Sequence, residues 1–166
     1  MTTRVAVLAD THMRRDWKRT LPAPVAELVA DADVILHAGD VIHGFVLEEL
    51  AEYAPVHAVL GNNDGDLVGE LPETLEIEIE GVRIGMVHDS GQARGRAERL
   101  HRLFPDCDVV VFGHSHIPWN ETGVDGQLLF NPGSPTERRR QPHRTAGVLV
   151  VEDGEVAEAR VVVVDE

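Results

Sequence analysis

Apolar residues fall in short runs that stop abruptly at polar side chains. Arg4 to Ala9, RVAVLA, is the first run, and it ends at Asp10. A short, continuous apolar run of this kind predicts a strand buried on both faces. Pro22 to Ala30 predicts a helix with Pro24 near its start, where a missing N–H is tolerated. Val34 to His37 predicts a second strand, stopping at Gly39 and Asp40. Phe45 to Tyr53 has helical spacing, with Phe45, Leu47 and Leu50 apolar between acids. Val56 to Leu60 predicts a third strand, stopping at Gly61 and Asn62. Three strands separated by two helical segments describe a βαβαβ unit with a parallel sheet.

The second half of the chain has a different rhythm. LEIEIEGVRIGMVH alternates apolar and polar residues around Gly81, which predicts an antiparallel hairpin. Gln92 to Phe104 predicts an arginine-rich helix. Asp108 to Phe112 predicts a buried strand ending at Gly113, and Leu128 to Phe130 a short one ending at Asn131-Pro132-Gly133. GVLVVEDGEVAEARVVVV predicts two strands turning at Asp153-Gly154. No repeat or low-complexity linker divides the chain, so one domain over residues 1–166 is expected.

Composition narrows the picture in three respects. The formal net charge is −14, and Lys18 is the only lysine, so the basic stripe of a general nucleic-acid binder is missing. Cys107 is the single cysteine, which rules out an intrachain disulfide, and among valines it reads as a small core residue. No apolar stretch is long enough to span a bilayer, and the N-terminus lacks the pattern of a signal peptide. A cytoplasmic protein is expected, acting on small molecules away from the membrane, with homo-oligomerisation left open.

The candidate chemistry sits where the strands stop. Asp10 and His12 follow the first strand, Asp40 the second and Asn62 the third; His88 closes the Val82 to Val87 segment, and His114 and His116 follow Val109 to Phe112. In open α/β sheets the carboxyl ends of the strands converge on one crevice. Carboxylate, amide oxygen and imidazole together suit divalent Mn²⁺, Fe²⁺, Co²⁺, Ni²⁺ or Zn²⁺. Seven such groups are too many for one tetrahedral zinc and enough for two ions. Each piece alone has an ordinary reading, as a cap, a turn or a packed histidine; the ordered set at successive strand ends does not.

With Asp10-Thr11-His12, Gly39-Asp40, Gly61-Asn62-Asn63-Asp64, His88 and Gly113-His114-Ser115-His116 in this order, the chain resembles the calcineurin-like metallophosphoesterase superfamily. It looks most like the small single-domain bacterial and archaeal phosphodiesterase branch, which the Asn131-Pro132-Gly133-Ser134 loop also resembles. The resemblance implies a four-layer α/β/β/α sandwich of two mixed sheets flanked by helices. It implies two divalent ions, Mn²⁺ first among them, with Asp10, His12 and His116 on one, Asn62, His88 and His114 on the other, and Asp40 between. A hydroxide held by the ions would attack phosphorus, with Asp10, Asp40, Asn62, Asn63, His88 and His114 as the catalytic set. The same superfamily includes a trafficking scaffold that has lost part of its metal site; no ligand position is lost here, which favours a phosphoesterase over an interaction module.

Two positions depart from the superfamily pattern. Asn63 stands where many members carry a histidine that assists the leaving group, and an amide cannot act as a general acid. Asp89 follows His88 where glycine is usual, and it reads either as an acceptor for a ligand histidine or as a solvated acid. His37 and His57 read as packed histidines, His101 as a surface residue, and Trp17 and Trp119 as packing residues. His43 and the run Arg138, Arg139 and Arg140 lie near the motifs in sequence, where a solvated role is the commoner one.

Overall fold

The computed structural model describes residues 1–12 and 21–165. The parallel unit is present as the apolar runs predict. β1 (Thr2–Leu8), β2 (Val34–His37) and β3 (Val56–Ala58) pair in parallel, with α1 (Ala23–Ala30) and α2 (Gly44–Ala51) between them along the chain. β9 (Thr145–Glu152) adds antiparallel to the free edge of β1, and β10 (Glu155–Val163) adds to β9. The first sheet therefore has the order β10-β9-β1-β2-β3.

The second sheet begins with the hairpin of β4 (Thr74–Ile79) and β5 (Val82–Val87), turning at Glu80-Gly81. β6 (Val109–Val111) and β8 (Leu128–Asn131) continue it in parallel with β5, and β7 (Trp119–Thr122) closes it antiparallel to β8. The order is β4-β5-β6-β8-β7. The Glu80-Gly81 and Asp153-Gly154 turns both place two residues at positive φ, as two-residue hairpins that follow strand twist require.

The sheets pack face to face, and the burial pattern explains the sequence pattern. Val5 and Val7 of β1 join Leu36, Ile84, Val111, Phe130 and Leu149 between the sheets. Ala6 and Leu8 of the same strand face the other way and join Val25, Val29, Val46 and Leu50 of α1 and α2. β1 is thus covered on both faces, which is why it reads as one continuous apolar run. α3 (Arg96–Leu103) covers the outer face of the second sheet, with Leu100 and Phe104 against Val110 and Phe112. The result is the expected α/β/β/α layering. β4 lies at an edge, and its outward Glu76 and Glu78 discourage pairing with another chain.

Two elements differ from expectation. The helix predicted over Gln92 to Phe104 starts only at Arg96, because Gly95 takes φ 76°, a left-handed conformation that breaks the helical path. The preceding loop is held by arginines instead: Arg99 donates to Ser90 O and Arg94 O, and Arg96 to Gly91 O. β7 was not legible, since Trp119-Asn120-Glu121-Thr122 has no apolar alternation; its place is set by backbone pairing with β8. No helix among the described residues is long and apolar enough to cross a membrane.

Candidate metal centre

The carboxyl ends of β1, β2 and β3 in one sheet meet those of β5 and β6 in the other. Backbone hydrogen bonds join the loops that leave them: Asp10 N donates to Gly39 O at 2.9 Å, His12 N to Asp40 O at 3.2 Å, and Gly113 N to His88 O at 2.9 Å. Glycine precedes Asp40, Asn62 and His114 for steric reasons. A Cβ on Gly61 would lie 2.2 Å from Asp40 N, and one on Gly39 would lie 2.6 Å from His88 Nδ1. The loops that carry the clustered residues approach too closely to admit a side chain there.

All seven residues singled out from the sequence lie in one cluster. His12 Nε2 is 3.8 Å from Asp10 Oδ1 and 3.2 Å from Asp40 Oδ2. His88 Nε2 is 3.8 Å from Asp10 Oδ1 and 3.5 Å from Asp40 Oδ1, and His116 Nε2 is 3.6 Å from Asp10 Oδ1. The carboxamide of Asn62 lies 2.9 Å from His88 Nε2 and 3.2 Å from His114 Nδ1. Turned with its oxygen inward it points an acceptor into the cluster; turned the other way its NH₂ donates to both imidazoles and to Asp40. Asp10, His12, Asp40, His88 and His116 are buried, whereas Asn62, Asn63, Asp89 and His114 form the open side.

The chemistry of these donors fits a cation. His88 Nδ1 is 2.7 Å from Ala38 O and His116 Nδ1 is 3.0 Å from Glu137 O. A carbonyl can only accept, so each imidazole donates from Nδ1 and in its neutral form turns a bare Nε2 lone pair towards the carboxylates. Asp10 Oδ1, His12 Nε2 and His116 Nε2 are buried and have no hydrogen-bond partner among the described residues. Buried polar atoms left in this state are costly, and lone pairs converging on one point are satisfied by a positive ion. Two sets offer ligand atoms within 4.8 Å of one another: Asp10, His12 and His116, and Asp10, Asp40 and His88. Asp10 is common to both, and Asp40 turns one oxygen to His12 and the other to His88.

The local field favours positive charge. Burial alone would lower the pKa of His12, but the carboxylates of Asp10 and Asp40, with Glu137 farther out, push it up to about 9. Burial alone would raise Asp40, but the nearby imidazoles of His12 and His88 and the hydrogen bond from the Asn63 N–H hold its carboxyl well below the usual range. The backbone carries a matching signature. Asp10, His12, Asp40, His114 and His116 all have positive φ, between 43° and 74°. Such conformations cost about 1–3 kcal/mol each for non-glycine residues and persist where the surroundings impose them, typically at functional sites.

Further residues set this geometry. Asp64 is fully buried and accepts three backbone N–H groups: Asp40 at 2.9 Å, Ile42 at 2.6 Å and Gly61 at 2.7 Å. His37 is fully buried, accepts from Gly39 N at Nδ1 and lies 3.1 Å from Thr11 Oγ1 through Nε2, so it ties the loops after β1 and β2 together. Burial pushes its pKa down to about 4, which keeps it neutral at ordinary pH. Asn63 is turned back onto Asp40, its N–H and its Nδ2 each donating at 2.9 Å. Asp64 belongs to a motif that the sequence displayed, but nothing in its spacing distinguished a structural acceptor from a ligand.

The remaining candidates fall outside the cluster or at its rim. His43 contacts Asp66 at 3.3 Å and stacks on Phe45. His101 faces Asp125 at 3.7 Å on α3. Trp119 packs on Arg96, whose guanidinium lies 4.7 Å from its ring. Asp89 is exposed, with Oδ2 4.0 Å from His114 Nε2 and Oδ1 accepting from Gly91 N. Arg138, Arg139 and Arg140 are exposed, and Arg138 donates to Gln141 O. Trp17 lies outside the described residues.

A two-sheet α/β sandwich with a histidine–carboxylate cluster at its strand ends defines the class, and the sequence places the chain within it. Residues 3–154 match the calcineurin-like phosphoesterase superfamily domain, and the chain belongs to that family. It is 35% identical over 161 residues to a probable metallophosphoesterase of Methanothermobacter thermautotrophicus, covering 95% of this chain and 91% of the relative. It is 36% identical to a probable metallophosphoesterase of Methanocaldococcus jannaschii, covering 98% and 82%. Among solved structures it superimposes on an archaeal phosphodiesterase with a TM-score of 0.71 at 25% identity, covering 96% and 99%. Vacuolar Protein Sorting 29 from Cryptosporidium parvum shares the fold at a TM-score of 0.77 and 23% identity, covering 97% and 96%.

Proposed function

We propose that this protein hydrolyses small phosphodiesters at a centre of two divalent ions. The observation that carries the reading is the convergence of unpaired, buried ligand atoms on Asp10 Oδ1. Asp10, His12 and His116 would hold one ion, Asn62, His88 and His114 the other, and Asp40 would be shared. Mn²⁺ is the first candidate, with Ni²⁺, Co²⁺, Fe²⁺ and Zn²⁺ chemically admissible. Such a pair supplies Lewis acidity towards phosphoryl oxygens and a nucleophile that forms at neutral pH.

The chain's own residues do the positioning. Ala38 O and Glu137 O fix the tautomers of His88 and His116. Asn63 holds the Asp40 carboxylate, and its amide, on the open side, can offer the substrate a hydrogen bond but no proton. The negative charge of the chain and its lack of a basic stripe favour a small ester over a long nucleic acid.

The test is an assay of metal-stripped protein, reloaded with each divalent ion, against matched aryl and alkyl phosphodiesters and monoesters. General-acid assistance contributes about 10²–10⁴ in rate, so without it aryl diesters should exceed alkyl diesters by a comparable margin. Asn63→His should then improve the alkyl substrates more than the aryl ones. An equal effect across the series would mean that another group protonates the leaving oxygen. No turnover with any ion would favour a non-catalytic interaction module on the same fold.

A further inference from the structure

The segment after β8 carries no ligand of its own, yet it grips one half of the cluster. Ser134 Oγ donates to Asp10 O at 2.8 Å, and Thr136 Oγ1 donates to Thr11 O. Ser134 Oγ also accepts the N–H of Glu137 at 3.0 Å, which fixes where Glu137 begins. From there Glu137 reaches two histidines. Its carbonyl lies 3.0 Å from His116 Nδ1, and its carboxylate Oε2 lies 3.9 Å from His12 Nδ1. Both histidines present Nε2 to Asp10 Oδ1. His88 takes its Nδ1 acceptor from Ala38 instead, and His114 faces Asn62 and Asp89.

We infer that Glu137 is a positioning residue for the metal position of Asp10, His12 and His116, and that it sets the affinity of that position independently of the other. The inference rests on the two-ion reading above. A carboxylate behind a ligand imidazole orients the ring and raises its basicity, and loss of such a partner typically weakens metal binding about 10–100-fold. Here one residue serves both imidazoles: its main-chain carbonyl accepts from His116 Nδ1, and its carboxylate, 3.9 Å from His12 Nδ1 and beyond hydrogen-bonding distance, acts on His12 as a neighbouring negative charge. The two contacts can be separated experimentally. Glu137→Gln removes the charge facing His12 and leaves the carbonyl on His116 in place, and Ser134→Ala releases the strap without touching either histidine.

The experiment is calorimetric titration of the metal-stripped full chain with Co²⁺, accompanied by visible spectra that report each occupied position and by melting curves without metal. The wild type should bind in two resolvable steps. Glu137→Gln should weaken one step about tenfold or more, leave the other within twofold, and leave the metal-free melting temperature unchanged. Ser134→Ala should weaken the same step. Equal weakening of both steps, or none of either, would overturn the assignment to Glu137. A wild type that binds fewer than two ions would instead overturn the two-ion reading itself.

Discussion

Replacing Asp40 with asparagine should lower turnover by roughly a thousandfold at saturating metal, corresponding to about 4 kcal/mol of lost transition-state stabilisation. Asp40 is the carboxylate with one oxygen 3.2 Å from His12 Nε2 and the other 3.5 Å from His88 Nε2. Its strongly lowered pKa means that it is a full anion at any working pH. The amide has nearly the same shape but no charge, and its NH₂ turns a donor towards one of the two positions. The fold should survive, because Asp64 holds the Asp40 loop through the backbone and not through the side chain. Kinetics over a metal series, with circular dichroism as the control for folding, checks this. Turnover near that of the wild type would remove Asp40 from its shared place.

Asp64→Ala should act on stability instead. Its carboxylate satisfies two buried N–H groups and the part-buried N–H of Ile42, and each buried donor left unpaired costs about 1–3 kcal/mol. One of them belongs to Ile42, a β-branched residue held at φ 78°, a conformation that it would not adopt unaided. A loss of roughly 3–6 kcal/mol is expected, which for a chain of this size lowers the melting temperature by roughly 6–24 °C. Melting of the metal-free variant separates this from any loss of bound ion. A shift of only a degree or two would mean that water replaces the carboxylate at little cost, and that the loop geometry is held elsewhere.

These two aspartates show what the sequence makes legible. Asp40 stands where an apolar run stops, and so do Asp10, Asn62, His88 and His114; a strand buried on both faces announces its end, and the strand ends converge. Asp64 stands in a turn among other polar residues, where acceptor, ligand and solvated acid share one spelling. Glu137 was hidden for a related reason. Its contact with His116 is made by a backbone carbonyl, which any residue could provide, and its neighbourhood to His12 depends on a fold that brings together positions over a hundred residues apart. His37 was legible as a packed histidine but not as a tie between loops, since its partners are a hydroxyl and a backbone N–H. In the fold, elements with a strong apolar period were recovered, and the two that differed, the start of α3 and the strand β7, are set by a left-handed glycine and by edge pairing.

The central claim is that the cluster holds two divalent ions, and counting them tests it most directly. Metal-stripped protein is loaded with Mn²⁺, freed of excess ion and analysed for metal per chain, alongside Asp10→Ala. We expect two ions per chain in the wild type and no more than about one in the variant, because Asp10 Oδ1 faces His12 and His116 of one position, while Asn62, His88 and His114 remain for the other. At most one ion bound by the wild type at saturation, or full occupancy without the Asp10 carboxylate, would contradict it.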